Sequence, residues 1–397
     1  MKIYKLAILT SHAIQYQVPL FRALTKESNI DLNVYYCSNY GMTKRGFDPG
    51  FGKKIKWDIP LKGGYKYKVM RNISSFPNNG FLSLINAEIM SEIQKGGYDA
   101  VIIYGYTTVT VWLAYFAAWI SRTPIIYQSE SHLFTQTSFV KNLVKSLIFK
   151  LLFPRISAFL AIGSPNKMFY RYYKIPEEKI FITPYSVDND YFHKYAEKYK
   201  KRKNKIRVKL SLNNEMPVIL FVAKMMPRKN PFVLLKAFQN IRRNIPAQLV
   251  FVGDGVQLID LKKYAEENSI SNVLFAGFKN QSQLPEYYAV ADIFVLPSNE
   301  ETWGLVINEA MNFELPIITT DKVGASIDLI KHGKNGYIYP ANDGKMLEEY
   351  LAKLLLNSKI RDKMGKTSKT IINNWNYEND VKGILEALKY LNRKSIN

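Results

Sequence analysis

Two doubly wound parallel sheets of the α/β class, one in each half of the chain, are expected from three features of the sequence. Short apolar runs rich in β-branched residues recur along the chain, each separated from the next by a helix-like stretch, which is the pattern of βαβ units. Twelve such runs can be read, too many for one comfortable sheet. At 397 residues, 47% hydrophobic and 22% charged, the chain has material for two buried cores and does not have the composition of a disordered, collagenous or low-complexity protein.

In chain order the first six runs are KLAILT (5–10), DLNVYY (31–36), DAVIIY (99–104), PIIYQ (124–128), AFLAIG (158–163) and KIFITP (179–184). The second six are PVILFVA (217–223), AQLVFVG (247–253), NVLFAG (272–277), DIFVLP (292–297), PIITT (316–320) and GYIYP (336–340). Between the two series lies the basic, polar stretch 194–207, KYAEKYKKRKNKIR. It is expected to be a solvated linker, so that one domain covers 1–205 and the next begins at 206; a nucleic-acid or lipid patch is the other use of such a run. No solenoid-period repeat and no Gly/Ser-rich or Pro-rich linker is visible.

The formal net charge is +22, and it is unevenly placed: residues 1–174 hold 22 Lys+Arg against 8 Asp+Glu, the remainder 33 against 25. Nucleic acid, an anionic lipid surface or a phosphorylated small molecule would each satisfy that excess. The single cysteine, Cys37, cannot form an internal disulfide, which points to a reducing compartment, and one thiol with four scattered histidines does not make a structural zinc site. The opening MKIYKLAILTSHAIQY has no long apolar run or small-residue cleavage site. Residues 109–120, VTVWLAYFAAWI, are too few to span a bilayer as a helix. Residues 139–163 are interrupted by Lys141, Lys145, Lys150 and Arg155; the lysines are expected on one helical face, with Leu143, Leu147, Ile148 and Leu151 on another. Such a helix either lies on an anionic membrane surface or packs on a sheet while its lysines reach water.

The segment 296–320, LPSNEETWGLVINEAMNFELPIITT, carries the most chemistry. A strand ends at Leu296-Pro297, a polar loop follows, and a helix is expected from near Gly304. Ligands of open α/β sheets bind at the carboxyl ends of strands, and a helix N-terminus offers N–H groups and a positive dipole end to phosphate. Glu301 and Glu309 bracket that helix start. Their eight-residue spacing corresponds to about 12 Å of helix, beyond the separation of paired glycosidase carboxylates. The pair suits a ligand held at two ends, or two solvated helix-terminal glutamates. Lys224, Arg228 and Lys229 follow another strand end, where cations can neutralise a diphosphate as it leaves. FVGDG (251–255) and AGF (276–278) close the next two strands with glycines, where backbone can approach a ligand.

This ordered set resembles the retaining glycosyltransferases of family four, which have the GT-B fold. ITPYSVDNDYF (182–192), FVAKMMPRKNP (221–231), FVGDG, AGF, LPEYYAVADIFVLPS (284–298), EETWGLVINEAM (300–311) and GASIDLIKHGKNGYIY (324–339) follow in the family's order across most of the second half. Lys224 stands where the family usually has Arg, Tyr185-Ser186 where it usually has Asn-Gly, and Glu314 where glycine is common. The resemblance implies two Rossmann-like domains facing a central cleft, with 1–205 binding the acceptor and 206–372 the nucleotide sugar. It also implies that 373–397 is a last helix crossing back to the first domain.

It further implies residue roles. Lys224 and Lys229 would bind the donor diphosphate, aided by backbone at Gly304, Leu305 and Val306. Glu309 would hold the ribose, Glu301 the transferred sugar with Trp303 packed near it. Gly253, Asp254, Gly255, Gly277 and Phe278 would lie along the nucleotide. Retention without a dedicated nucleophile, no cofactor and no metal are implied, with a UDP- or GDP-sugar as donor, hexosyl transfer, and a glycan or lipid-linked acceptor in surface polysaccharide or glycolipid synthesis.

In the first half, TSHAIQYQVPLF (10–21) makes His12, Gln15 and Tyr16 acceptor-side candidates, against simple helix-entry packing. YQSESHLF (127–134) places Glu130 and His132 at a strand's carboxyl edge; in similar enzymes such a residue contacts the donor sugar, so His132 joins the catalytic candidates and Glu130 the acceptor side. The DND at 188–190 mimics a metal-binding Asp-x-Asp of a different fold but sits inside the interdomain turn. A nucleotide-sugar epimerase of the same fold and a basic nucleic-acid-binding protein are the competing readings; no nucleic-acid motif is recognised. The expected setting is cytoplasmic, with peripheral contact to the inner membrane face as a use for the charge in residues 1–174.

Overall fold

The computed structural model describes residues 2–42, 46–48, 53–55, 57–76, 80–133 and 139–396. The chain forms two compact units: residues 1–46, 59–185 and 377–397 make the first, residues 47–58 and 186–376 the second.

Strands are taken in chain order. β1 (Tyr4–Thr10) and β2 (Ile30–Tyr36) are followed by β3 (Gly46–Asp48) and β4 (Lys53–Ile55), which pair only with each other. Then come β5 (Lys66–Val69), β6 (Ala100–Tyr104), β7 (Ile125–Gln128), β8 (Ala158–Ala161) and β9 (Ile180–Ile182). The sheet of the first unit runs β5-β2-β1-β6-β7-β8-β9, entirely parallel. Its order therefore reverses between β1 and β6, the place where an open α/β sheet opens a crevice. β5 has no counterpart among the apolar runs. Its KYKV sequence is exposed at every position, and lysines on an edge strand guard against edge-to-edge pairing.

The second unit holds β10 (Val218–Val222), β11 (Gln248–Val252), β12 (Val273–Gly277), β13 (Ile293–Leu296), β14 (Ile317–Thr320) and β15 (Gly336–Tyr339). The order is β12-β11-β10-β13-β14-β15, again parallel, which is the 3-2-1-4-5-6 arrangement of dinucleotide-binding folds. β10, β11, β13 and β14 are buried at every residue. Helices cover both faces, so the sequence reads as continuous apolar runs and not as alternation.

The boundary differs from the expected 205/206 by about one helical hairpin, because residues 194–207 are not a linker. They lie within helices Asn189–Lys200 and Lys203–Lys209 of the second unit. Phe192 and Ile206 are buried there. Arg207, 4% exposed, donates to the Val290 carbonyl at 2.8 Å and to Asp292 at 2.5 Å. One face of a basic run thus anchors a helix pair while the other lysines stay in water. The carboxyl-terminal helix Tyr377–Ile396 packs in the first unit against β8, β9 and helix Val18–Lys26.

Helix Phe139–Leu152 also differs from expectation. It buries Phe149 and Leu152 in the aromatic core of the first unit, against Phe153, Phe169 and Tyr173, but most of its aliphatic residues face outward. Lys145 is not on an outer basic face. It turns inward over the Phe149 and Phe169 rings, and burial lowers its pKa. Among the described residues no helix is long and apolar enough to cross a membrane.

Candidate active site

In the second unit the strand order reverses between β10 and β13, so the loops leaving those two strands frame the crevice. Both loops are held tightly to each other and to the turn after β14. Asn299 N donates to the Arg228 carbonyl at 2.8 Å, and Asn230 Nδ2 to Asn299 Oδ1 at 3.1 Å. Thr320 Oγ1 donates to the Ser298 carbonyl at 2.5 Å, Glu301 N to the Lys322 carbonyl at 3.1 Å, and Gly324 N to the Glu301 carbonyl at 3.0 Å. Lys229 ends a short 3-10 turn, Pro227–Lys229, closed by Asn230 in the left-handed region at φ 51°.

This scaffold brings Lys229 and Glu301 into an ion pair in which each residue is only 8% exposed. Burial, reinforced by the nearby Arg228 and Lys224, pulls the Lys229 amine down to about 7. A buried pair with surplus positive charge beside it would gain from an incoming anion. Lys224 is half-buried and Arg228 exposed. Three cations and one carboxylate therefore converge where the sheet order changes.

The glycines near this point act in different ways. Gly304 caps helix Leu305–Asn312 at φ +100°, a conformation unfavourable to residues with a Cβ. The helix thus begins at Leu305, and its first N–H groups at Leu305 and Val306 have no intrahelical acceptor by construction. At FVGDG the close approach is to the protein's own chain: a Cβ on Gly253 would sit 1.9 Å from the Ala223 carbonyl oxygen. With Met225 N donating to the Asp254 carbonyl at 2.9 Å, this turn, Gly255 included, buttresses the loop that carries Lys224. Gly277 ends β12 at φ +69°, and the Phe278 ring lies 6.5 Å from Trp57.

Glu309 is fully buried and accepts from the Tyr288 hydroxyl at 2.6 Å. It is not one of two solvated helix-terminal glutamates. Tyr288 lies in the 284–298 segment without a role assigned there; its stacking on Phe313 and its burial reveal it. Trp303 is turned inward at 1% exposure, its indole donating to Asn308 Oδ1 at 3.0 Å and stacking 5.5 Å from Trp375. Its ring is committed to packing, so a sugar beside it is not what the side chain itself shows. In DND, Asp188 caps helix Asn189–Lys200 by accepting from Tyr191 N at 2.9 Å. Among the described residues no group of three or more His, Cys, Asp or Glu is placed to hold a metal ion.

The remaining candidates belong to the first unit, at the carboxyl ends of β1 and β7. His12 Nδ1 lies 2.9 Å from Ser11 Oγ, and its ring meets Tyr40 edge-on at 5.0 Å. The Gln15 side-chain oxygen is buried without a hydrogen-bond partner among the described residues. The Tyr16 carbonyl accepts from Tyr377 Oη at 2.8 Å, tying this loop to the carboxyl-terminal helix. Glu130 is exposed and accepts from Tyr185 Oη at 2.7 Å; burial and then that carboxylate push the Tyr185 phenol far up. His132 is not a surface histidine but 4% exposed, on a loop that Asn166 pins by donating to the Ser131 carbonyl at 2.7 Å.

Asp380 went unnoticed in the sequence because it looks like an ordinary first-turn helix acid. It is 5% exposed, its Oδ1 has no hydrogen-bond partner among the described residues, and burial raises its pKa well above the carboxylate range. It also helps burial to raise Tyr104. A raised folded pKa means that its contribution is intact below the unfolded value near 4 and is lost as pH rises toward the folded one. Asp380→Asn is therefore expected to raise the melting temperature at pH 8 and to leave it nearly unchanged at pH 4. A melting temperature lowered by the same amount at both pH values would contradict this reading of Asp380.

Residues 202–371 match the model of the family Glycosyl transferases group 1. That match lies within the second unit and covers less than half of the chain. Curated relatives of the chain include a GDP-mannose-dependent α-(1-6)-phosphatidylinositol monomannoside mannosyltransferase of Mycobacterium tuberculosis. It is 27% identical over 46% of this chain and 48% of the relative. The capsular polysaccharide biosynthesis glycosyltransferase CapM of Staphylococcus aureus is 29% identical over 50% of this chain and 52% of the relative. The chain spans about half the length of the curated relatives it matches. Among solved structures, HepE of Anabaena in complex with UDP and glucose superposes with TM-score 0.71 over 97% of this chain and 99% of HepE, at 15% identity. That likeness extends the GT-B fold, two Rossmann-like parallel-sheet domains, over the whole chain.

Proposed function

We propose that this protein is a retaining, metal-independent glycosyltransferase. It moves a hexose from a UDP- or GDP-sugar to a glycan or lipid-linked acceptor, in the cytoplasm and in the service of surface polysaccharide or glycolipid synthesis. The observation that carries the proposal is the buried Lys229–Glu301 pair, with Lys224 and Arg228 beside it, at the switch point of a 3-2-1-4-5-6 sheet. A nucleoside diphosphate at that point would meet Lys229, Lys224 and the first N–H groups of helix Leu305–Asn312, while Glu309, held by Tyr288, accepts the ribose hydroxyls. The relatives support both donor options: HepE is solved with UDP and glucose, and the mycobacterial relative uses GDP-mannose.

The chemistry follows from charge. Breaking the anomeric C–O bond leaves negative charge on the diphosphate, and cations fixed in a water-poor site stabilise it without reorganising. Glu301 positions the sugar, and a phosphate oxygen of the leaving group takes the acceptor proton, so the new bond forms on the face that the diphosphate leaves. His12, Gln15, Tyr16, Glu130 and His132 would order the acceptor and the sugar. A transfer assay followed by proton NMR of the new anomeric centre tests this directly: an anomeric configuration equal to the donor's is expected, and its inversion would refute the mechanism. Activity is expected to persist in excess EDTA, because lysines stand in for a divalent ion; strict dependence on Mg²⁺ or Mn²⁺ would count against the clamp.

A further inference from the structure

We infer that the outer face of helix Phe139–Leu152 is a docking surface for an anionic lipid bilayer, a role separate from the transfer chemistry. Val140, Leu143, Val144, Leu147 and Leu151 are each between 51% and 67% exposed. On a helix these positions fall within an arc of roughly 100°. A soluble surface scatters its exposed aliphatic residues, whereas five on one stripe mark a contact. Exposed Lys141 and Lys150 lie to either side of the stripe, one on each flank. This is the disposition that lets an interfacial helix sink its aliphatic face while its lysines reach the headgroups.

Two further observations select a lipid surface as the occupant. Helix Val109–Ile120 also exposes apolar residues, with Phe116 and Ile120 at 52% and 56%. Arg155 joins the two helices: it lies over the Trp119 ring at 5.7 Å and donates to the Leu151 carbonyl at 2.6 Å. The charge is also one-sided, since between Arg122 and Lys174 the chain has eight Lys or Arg and a single acid, Glu130. Basic residues around an aliphatic stripe complement phosphatidylglycerol or a similar anionic headgroup. A protein partner would need acidic residues around its own apolar patch to match.

The test is flotation of the full chain with phosphatidylcholine vesicles, with and without roughly one-third phosphatidylglycerol. The protein is expected to float with the anionic vesicles only. Leu143→Glu together with Leu147→Glu should lower partitioning at least about tenfold, with the melting temperature unchanged, because both side chains already face water. Lys141→Glu with Lys150→Glu should weaken binding and remove most of its salt sensitivity. Three results would each overturn the inference. One is failure of the unmodified chain to float, and another is equal flotation of the leucine variant. The third is a dimer in solution that the leucine variant dissociates, which would make the face a self-association surface.

Discussion

Lys229→Ala is expected to reduce glycosyl transfer by on the order of 10³-fold or more, because the cation that meets the leaving diphosphate is lost from a buried site. Below pH 7, where the Lys229 amine is charged, the same substitution leaves Glu301 buried without its ion-pair partner, at a cost of about 3–5 kcal/mol of stability. Activity and stability must therefore be separated. Glu301→Ala should also abolish transfer, since it removes the sugar-side carboxylate. The double variant Lys229→Met with Glu301→Gln removes both charges, so it should recover most of the lost stability while remaining inactive. Circular dichroism melts beside product assays read the two quantities independently. Wild-type turnover in either folded single variant would refute the assigned roles.

Binding of a nucleoside diphosphate at pH 8 is expected to take up about one proton per site. Burial, and then the neighbouring Arg228 and Lys224, pull the Lys229 amine down to about 7. At pH 8 it is mostly neutral. A diphosphate favours the charged amine and raises its pKa, so the proton arrives with the ligand. Affinity should accordingly be flat below pH 7 and weaken by up to tenfold per unit above it. Calorimetry in buffers of different ionisation enthalpy measures the uptake. Lys229→Met should show none, and uptake unchanged in that variant would place the titrating group elsewhere.

The parallel-sheet architecture was legible because both sheets bury their central strands on both faces. Runs such as Val218–Val222 and Gln248–Val252 then appear as unbroken apolar words. Lys66–Val69 was illegible for the converse reason, being an exposed edge strand written in lysine and tyrosine. The basic stretch 194–207 misled because charge density says nothing about which face a helix buries; Arg207 is inside although its neighbours are outside. At the site, Lys229 and Glu301 could be nominated from strand ends and spacing, but their ion pair depends on three loops being laced together by Asn230, Asn299 and Thr320. All three lie in segments the sequence singles out, but nothing there marks them as ties between loops. Tyr288 beneath Glu309 and the buried Asp380 are visible only once elements distant in sequence are packed together.

The proposed function requires a diphosphate clamp at the switch point between β10 and β13. Titration of the protein with UDP, GDP, UMP and GMP in EDTA, followed by thermal shift or calorimetry, tests it most directly, since a ligand that binds the folded state raises its stability by mass action. One nucleoside diphosphate is expected to bind and stabilise the protein, its monophosphate far less, and Lys229→Met should erase the difference between the two. Equal binding of mono- and diphosphate, or no response to any nucleotide, would rule out the clamp.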